Sequence, residues 1–323
     1  AVAGDARFVL SRSPRRLGFY RNFERALALA PAGARFVALA DQDDAWQPDK
    51  LATLLAAIGD AQLVYSDARV IRPDGELIAS TYWGQRANNH DDMLSLLVAN
   101  AVTGAASLFP RDLLDRALPF PPGQFSHFHD HWVGLTALAL GDIEFVDRPL
   151  YDYVQHGGAV LGHEAANRMP PLTDRFRSLR RPLRERVGRW RLTYFVDVCR
   201  LLQFATVLQM RCGDSMAPAK RRALERFLRA DRSPLGLGRF AARAGRELVG
   251  RPETLGAELG LFFGFAWRHV VRAGSRKATR PRRRLRIDTR PPTTLVLKPG
   301  RRDPGVPEVG AIAAKVAPLA LAV

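Results

Sequence analysis

Short apolar runs alternate with amphipathic ones from the start of the chain to about residue 155, and this alternation predicts an α/β architecture. Arg7–Leu10 and Arg35–Ala40 read as strands, and Gly18–Ala30 between them carries a helical period. A helix starts near Pro48, whose ring suits a first helical turn. Gln62–Ile71 is apolar and β-branched and stops at Arg72-Pro73-Asp74-Gly75, after which Glu76–Ser80 resumes, the pattern of a hairpin. Met93–Val98 reads as a helix, Gly104–Phe109 as a strand of small residues and Pro110–Ala117 as a short helix. Pro119–Gly123 is a stiff loop that delivers His129-Asp130-His131-Trp132 to the start of another helix. Ile143–Val146 and Leu150–Val154 close the series as two short strands.

Past about residue 170 the strand pattern stops. Arg/Leu-rich helical stretches cover Leu179–Met210, Ala217–Ala230 and Leu237–Val271, and from Ser275 the chain turns Arg- and Pro-rich and reads as disordered. Three regions follow: 1–168 as an α/β domain, 169–274 as a helical basic appendage and 275–323 as a tail.

Charge sharpens this division. Residues 1–170 hold 15 Lys/Arg against 20 Asp/Glu, net −5, and residues 171–323 hold 34 against 12, net +22. The acidic part suits metal and phosphate chemistry; the basic part suits an anionic surface, phospholipid or nucleic acid. Cys199 and Cys212 are too few for a disulfide framework, so a reducing cytoplasm is expected. The longest apolar run in the basic part, Leu259–Trp267, is too short to span a bilayer and follows Glu258, so any membrane contact is expected to be peripheral.

The candidate chemistry lies in Asp41-Gln42-Asp43-Asp44, directly after Phe36-Val37-Ala38-Leu39-Ala40. A strand that ends in several carboxylates carries a desolvation penalty unless a cation meets them. Mg²⁺ or Mn²⁺ fits, being held by one or two carboxylates together with substrate phosphates. The plainer alternative is a helix N-terminus whose dipole favours acids such as Asp44 and Asp49.

The run Leu39–Leu51 resembles the metal-binding segment of family 2 glycosyltransferases of GT-A fold, most closely their rhamnosyltransferase-like branch. Further pieces match in chain order. Gly18-Phe19 with Asn22-Phe23 resembles the stretch before the loop, and Tyr65-Ser66-Asp67 the strand after it. Asn100–Ala105 resembles the acceptor-side loop, His129–Trp132 the catalytic-base segment and Tyr151–His156 the closing segment.

The resemblance implies a GT-A-like (Rossmann-like) mixed sheet and inverting transfer of a hexose, rhamnose being the branch's sugar. The donor would be a nucleotide-diphosphate sugar and the acceptor a cell-envelope glycan or lipid-linked precursor. It assigns Asp43 to the metal and Asp41 to the ribose or the metal's water shell, with Asp44 beside them. Asp130 would be the general base, and His156 a contact to metal or diphosphate. Trp132 would be either core or acceptor wall. The family's first strands, which hold the nucleotide base, have no counterpart before Arg7. The expectation is therefore an N-terminally incomplete domain, either a fragment or an inactive remnant.

Other constellations rank lower. His127-Phe128-His129-Asp130-His131 invites zinc, but its spacing departs from the metallo-hydrolase pattern. Trp46 and Trp83 are candidates for sugar stacking or core, Asp67 for an acceptor contact or a structural acid, and Gly157-Gly158 for a loop over phosphates or a turn. No Gly-rich loop with a following Lys-Ser/Thr and no Gly-x-Ser-x-Gly elbow is present, which excludes the usual ATPase and hydrolase signatures. Nucleic-acid binding by the basic half is the rival of a different class, though no recognisable binding fold accompanies it. Peripheral contact with anionic lipid on the inner face of the plasma membrane is preferred, through the Arg- and Leu/Phe-bearing stretch Phe227–Leu248.

Overall fold

The computed structural model of the protein describes residues 8–83, 86–123, 127–155, 180–247, 253–254 and 256–278. The fold is α/β, as the alternation predicts: a mixed sheet with helices on both faces and a helical region after it, consistent with the GT-A-like class that the resemblance implies. The strands are β1 (Phe36–Ala38), β2 (Ala45–Trp46), β3 (Leu63–Ile71), β4 (Leu77–Ala79), β5 (Ser107–Pro110) and β6 (Ile143–Val154). Their order is β1-β5-β3-β6-β2, with β4 paired to β3. The β3–β6 ladder is parallel and the other pairings are antiparallel.

The helices of this part are α1 (Phe19–Ala28), α2 (Lys50–Ala57), α3 (Met93–Val98), α4 (Leu114–Ala117) and α5 (His129–Leu140). Strand β3 explains why its sequence is apolar without alternation. Leu63 and Tyr65 face the main core with α3 and α5, whereas Val64 faces a smaller core with Leu54 and Ile58 at α2 and with Leu108 and Leu150. A strand covered on both faces needs apolar residues on both.

The helical region comprises α6 (Leu183–Thr193), a π-helical segment (Tyr194–Val198), α7 (Cys199–Cys212), α8 (Pro218–Arg232), α9 (Pro234–Glu247) and α10 (Ala257–Ala278). It packs directly on the α/β part, and the main core is continuous from Leu63 through Trp132 and Phe204 to Phe265. Phe204 on α7 meets Trp132 on α5 at 5.2 Å between ring centroids. Helix α10 runs on past Ser275 to Ala278. The expected boundary at 168/169 and the remainder of the tail lie outside the described residues.

Four elements differ from expectation. Phe8–Leu10, the described part of the first expected strand, forms no ladder; Phe8, Val9 and Leu10 are exposed, and a strand exists only where a neighbour takes its backbone groups. Ile143–Val154 is one strand, because a register shift between Ser66 and Asp67 absorbs Asp147 and Arg148 without ending the β3 ladder. Gly104–Ala106 is a 3₁₀ turn, and β5 begins only at Ser107. Ala45–Trp46, read as loop, pairs with Asp152 and Tyr151.

The stretch Phe227–Leu248 is also corrected as the membrane face. Phe227, Leu228, Phe240 and Ala244 are buried, and the rings of Phe227, Phe240 and Phe265 meet one another edge to face. Most of its apolar side is taken up in packing α8, α9 and α10 together, although Leu235 stays exposed; Leu248 lies outside the described residues.

Candidate active site

Two segments carry the candidate acids: the loop after β1, which holds Asp41, Asp43 and Asp44, and the first turn of α5, which holds Asp130, with Asp41 near enough to act on Asp130 electrostatically. Asp44 Oδ1 accepts from the Val154 N–H at 3.4 Å, which ties the loop to the end of β6, while Asp44 Oδ2 is buried with no partner. Burial, with Asp41 and Asp43 nearby, pushes the Asp44 carboxyl up to about 7. Asp41 is raised by burial and then by Asp43. Asp41 and Asp44 therefore sit where ionisation is disfavoured unless positive charge arrives.

Among the described residues, Lys50 brings positive charge to this loop. Lys50, the first residue of α2, is fully buried, donates from Nζ to the Ala105 carbonyl, and lies with Nζ 3.7 Å from the Trp46 ring centroid. Burial lowers its amine to about 7, opposed by Asp44 and Asp41. This lysine was visible in the sequence beside the acids but received no role there, since only the fold turns it inward beneath them.

Asp130 stands where a helix start already favours a carboxylate. Its Oδ1 accepts from the His131 N–H at 2.6 Å and its Oδ2 from the Gly104 N–H at 3.4 Å. Burial nevertheless dominates and lifts the carboxyl to about 7, with Asp41 close enough to add to the effect. A Cβ at position 104 would come within 2.7 Å of His129 Nε2 and 3.4 Å of Asp130 Cβ, so glycine is what lets this backbone reach the acid. Gly104 is a contributor that residue type alone did not reveal. Tyr82 and Tyr153 are in edge contact at 6.1 Å; after burial, Asp130 contributes to raising the first and the acidic loop to raising the second. Aromatic surface thus lies between the loop and the helix start.

The three histidines around Asp130 diverge. His127 Nε2 meets Gln203 Oε1 at 3.1 Å, His129 stacks on Phe23 at 3.6 Å, and His131 Nε2 donates to the Leu96 carbonyl at 2.9 Å if its Nδ1 faces the Arg200 guanidinium at 3.5 Å. Each ring serves a different packing contact, which removes the geometry zinc needs.

Trp132 is fully buried, with its Nε1–H donating to the Ala117 carbonyl at 2.8 Å, so core is the reading that its position selects. Asp67 is a structural acid that accepts from the Ala68 and Tyr82 N–H groups. Asp49 pairs with Arg148 at 2.7 Å and gives α2 no side-chain cap. Trp83 packs against Tyr82 and Phe145. His156 and Gly157-Gly158 lie outside the described residues.

A divalent ion can be tested against these groups. The donors are carboxylate oxygens, the class Mg²⁺ and Mn²⁺ take, and the unpartnered Asp44 Oδ2 is the kind of atom that a cation would satisfy. Among the described residues no three His, Cys, Asp or Glu side chains converge as a complete cage. The chain's share would then be one or two carboxylates, which is the usual share when substrate phosphates supply the rest.

No family model matches the chain, and no curated protein matches it. Among solved structures it is similar to S. aureus TarS 1–349, determined in complex with UDP-GlcNAc. The identity is 12%, the TM-score is 0.32, and the match covers 78% of this chain and 71% of that one. A likeness of that size carries no argument, and the functional reading rests on the residues described above.

Proposed function

We propose that the chain is an inverting glycosyltransferase that moves a hexose, rhamnose in the reading given by the sequence resemblance, from a nucleotide-diphosphate sugar to a hydroxyl of a cell-envelope glycan or lipid-linked precursor. The observation that supports this most is the pairing of two carboxylate environments: an acidic loop with a buried, unpartnered oxygen, and a separate acid at about 7 held by backbone N–H groups. Inverting transfer asks for that division, with one carboxylate free to take the acceptor's proton and others engaged with the donor's diphosphate.

In this reading Asp43 and Asp41 hold Mg²⁺ or Mn²⁺, and Asp44 completes the loop's charge. The ion, when bound, neutralises the departing diphosphate. Asp130 accepts the acceptor hydroxyl's proton at a carboxylate oxygen, and the Gly104 and His131 N–H groups hold it in place. Lys50 offsets part of the loop's charge. His156 is proposed to add a contact to the diphosphate. The protein is placed in the cytoplasm with peripheral contact to the inner face of the plasma membrane; among the described residues no helix is long and apolar enough to cross a membrane.

Turnover of a panel of nucleotide sugars by the parent and by Asp130→Asn tests the assignment. Loss of a general base should lower kcat by about 10²–10⁴-fold while nucleotide binding stays intact. Undiminished turnover in the variant removes Asp130 from the chemistry.

A further inference from the structure

The surface formed by α6, the π-helical segment and the end of α10 has no part in the site above. From Arg180 to Arg191 the chain carries six arginines and a single acid, Glu185, for a net charge of +5. Glu185 is engaged by Arg181 at 3.6 Å, and Arg186 lies over the Trp190 ring. Among the described residues Arg184, Arg189 and Arg191 have no ion-pair partner, and all three are exposed.

Large apolar side chains are held open among these cations. Leu183 is 66% exposed, Val187, one helical turn on, 37%, and Phe195 57%. The Phe195 ring meets Trp267 at 5.6 Å. Val270 and Val271, on the next turn of α10, are 71% and 45% exposed and extend the same surface. The inward side of these helices is already satisfied: Trp190 stacks on Phe263 at 5.1 Å, and Tyr194 meets Trp267. The exposed row is therefore surplus to the fold.

We propose that this face docks on an anionic phospholipid surface, with Arg184, Arg189 and Arg191 at the head-group phosphates and Leu183, Val187, Phe195 and Val270 entering the acyl boundary. Either feature alone would point elsewhere. Free arginines without apolar neighbours suit any polyanion, whereas a row of exposed aliphatic side chains gains nothing from a nucleic-acid backbone. An anionic lipid interface uses both. The proposal deepens the membrane-contact part of the functional reading and replaces Phe227–Leu248, whose apolar side is mostly buried, as the place of contact. It does not depend on sugar transfer.

Flotation of the full chain with vesicles of phosphatidylcholine alone, or of phosphatidylcholine mixed with phosphatidylglycerol, tests it. Binding is expected to the anionic vesicles only and to weaken with salt. Arg184→Gln and Arg191→Gln should each weaken it about fivefold. Leu183→Ser with Val187→Ser should weaken it at least about tenfold with every charge retained. These residues are exposed, so the melting temperature should stay that of the parent, which separates lost binding from lost fold. Equal binding to both vesicle types, no binding, or an apolar double variant that binds like the parent while a short RNA duplex competes would each overturn the proposal. Nucleotide binding by the same preparations reports on the glycosyltransferase reading separately.

Discussion

Asp130→Asn should make the protein more stable near pH 8 while it removes the proposed base. The folded carboxyl titrates at about 7 against 3.8 for the free group, because burial outweighs the two N–H groups that favour its charge. Between those values the folded chain keeps a proton that the unfolded chain has released, so stability from this group falls as pH rises and stays low above 7. A shift of about three units corresponds to about 4 kcal/mol at most, and the residue's partly open side reduces this toward about 2 kcal/mol. Asparagine removes the charge but can accept from only one of the two N–H groups, a loss of about 1 kcal/mol. The variant should thus be about 1 kcal/mol less stable than the parent near pH 4.5 and about 1–3 kcal/mol more stable near pH 8, with a Tm higher by about 2–6 °C. Calorimetric melts of both proteins at the two pH values measure this. His129 and His131, which burial lowers to about 3, are present in both and cancel in the difference. A variant-minus-parent difference that does not change with pH would refute the argument that Asp130 is held against its own ionisation.

Further outcomes follow from the same structure. Because the base must be ionised, kcat/KM should fall about tenfold per pH unit below about 7 in a pH–rate profile; a flat profile from about pH 5 to 8 contradicts a titrating Asp130. Glu258 is fully buried against Arg243 at 3.0 Å, and Arg243 also donates to Ser95. Arg243→Ala should therefore cost about 3–5 kcal/mol in a denaturant melt, and a loss under about 1 kcal/mol would mean that Glu258 is compensated otherwise. Phe204→Ala should cost about 3–5 kcal/mol and still give one transition, since its ring joins α7 to α5; two separated transitions would show that the regions fold independently.

Much of the fold was legible because the strongest patterns were local. Met93–Val98 is a helix as read, with Asp92 capping the Ser95 N–H, and the turn at Arg72–Gly75 does join β3 to β4. Elements that depend on partners were not legible. Phe8–Leu10 has the composition of a strand and no neighbour to pair with, while Ala45–Trp46 is too short to show a period and is a strand only because β6 lies alongside. The site divides in the same way. The clustering of Asp41, Asp43 and Asp44 is a property of the sequence, as is the placing of Asp130 at a helix start. That Lys50 turns inward beneath Trp46, that Gly104 closes on Asp130, and that Trp132 is wholly enclosed are results of packing between segments far apart in the chain.

In the proposed function the acidic loop holds a nucleotide diphosphate through a divalent ion. This is tested most directly by thermal shift of the chain and of Asp43→Asn with UDP, GDP and dTDP, each with and without Mn²⁺. One nucleotide should raise the melting temperature only when Mn²⁺ is present, and Asp43→Asn should lose this response. No response to any nucleotide, or an equal response in the variant, would contradict it.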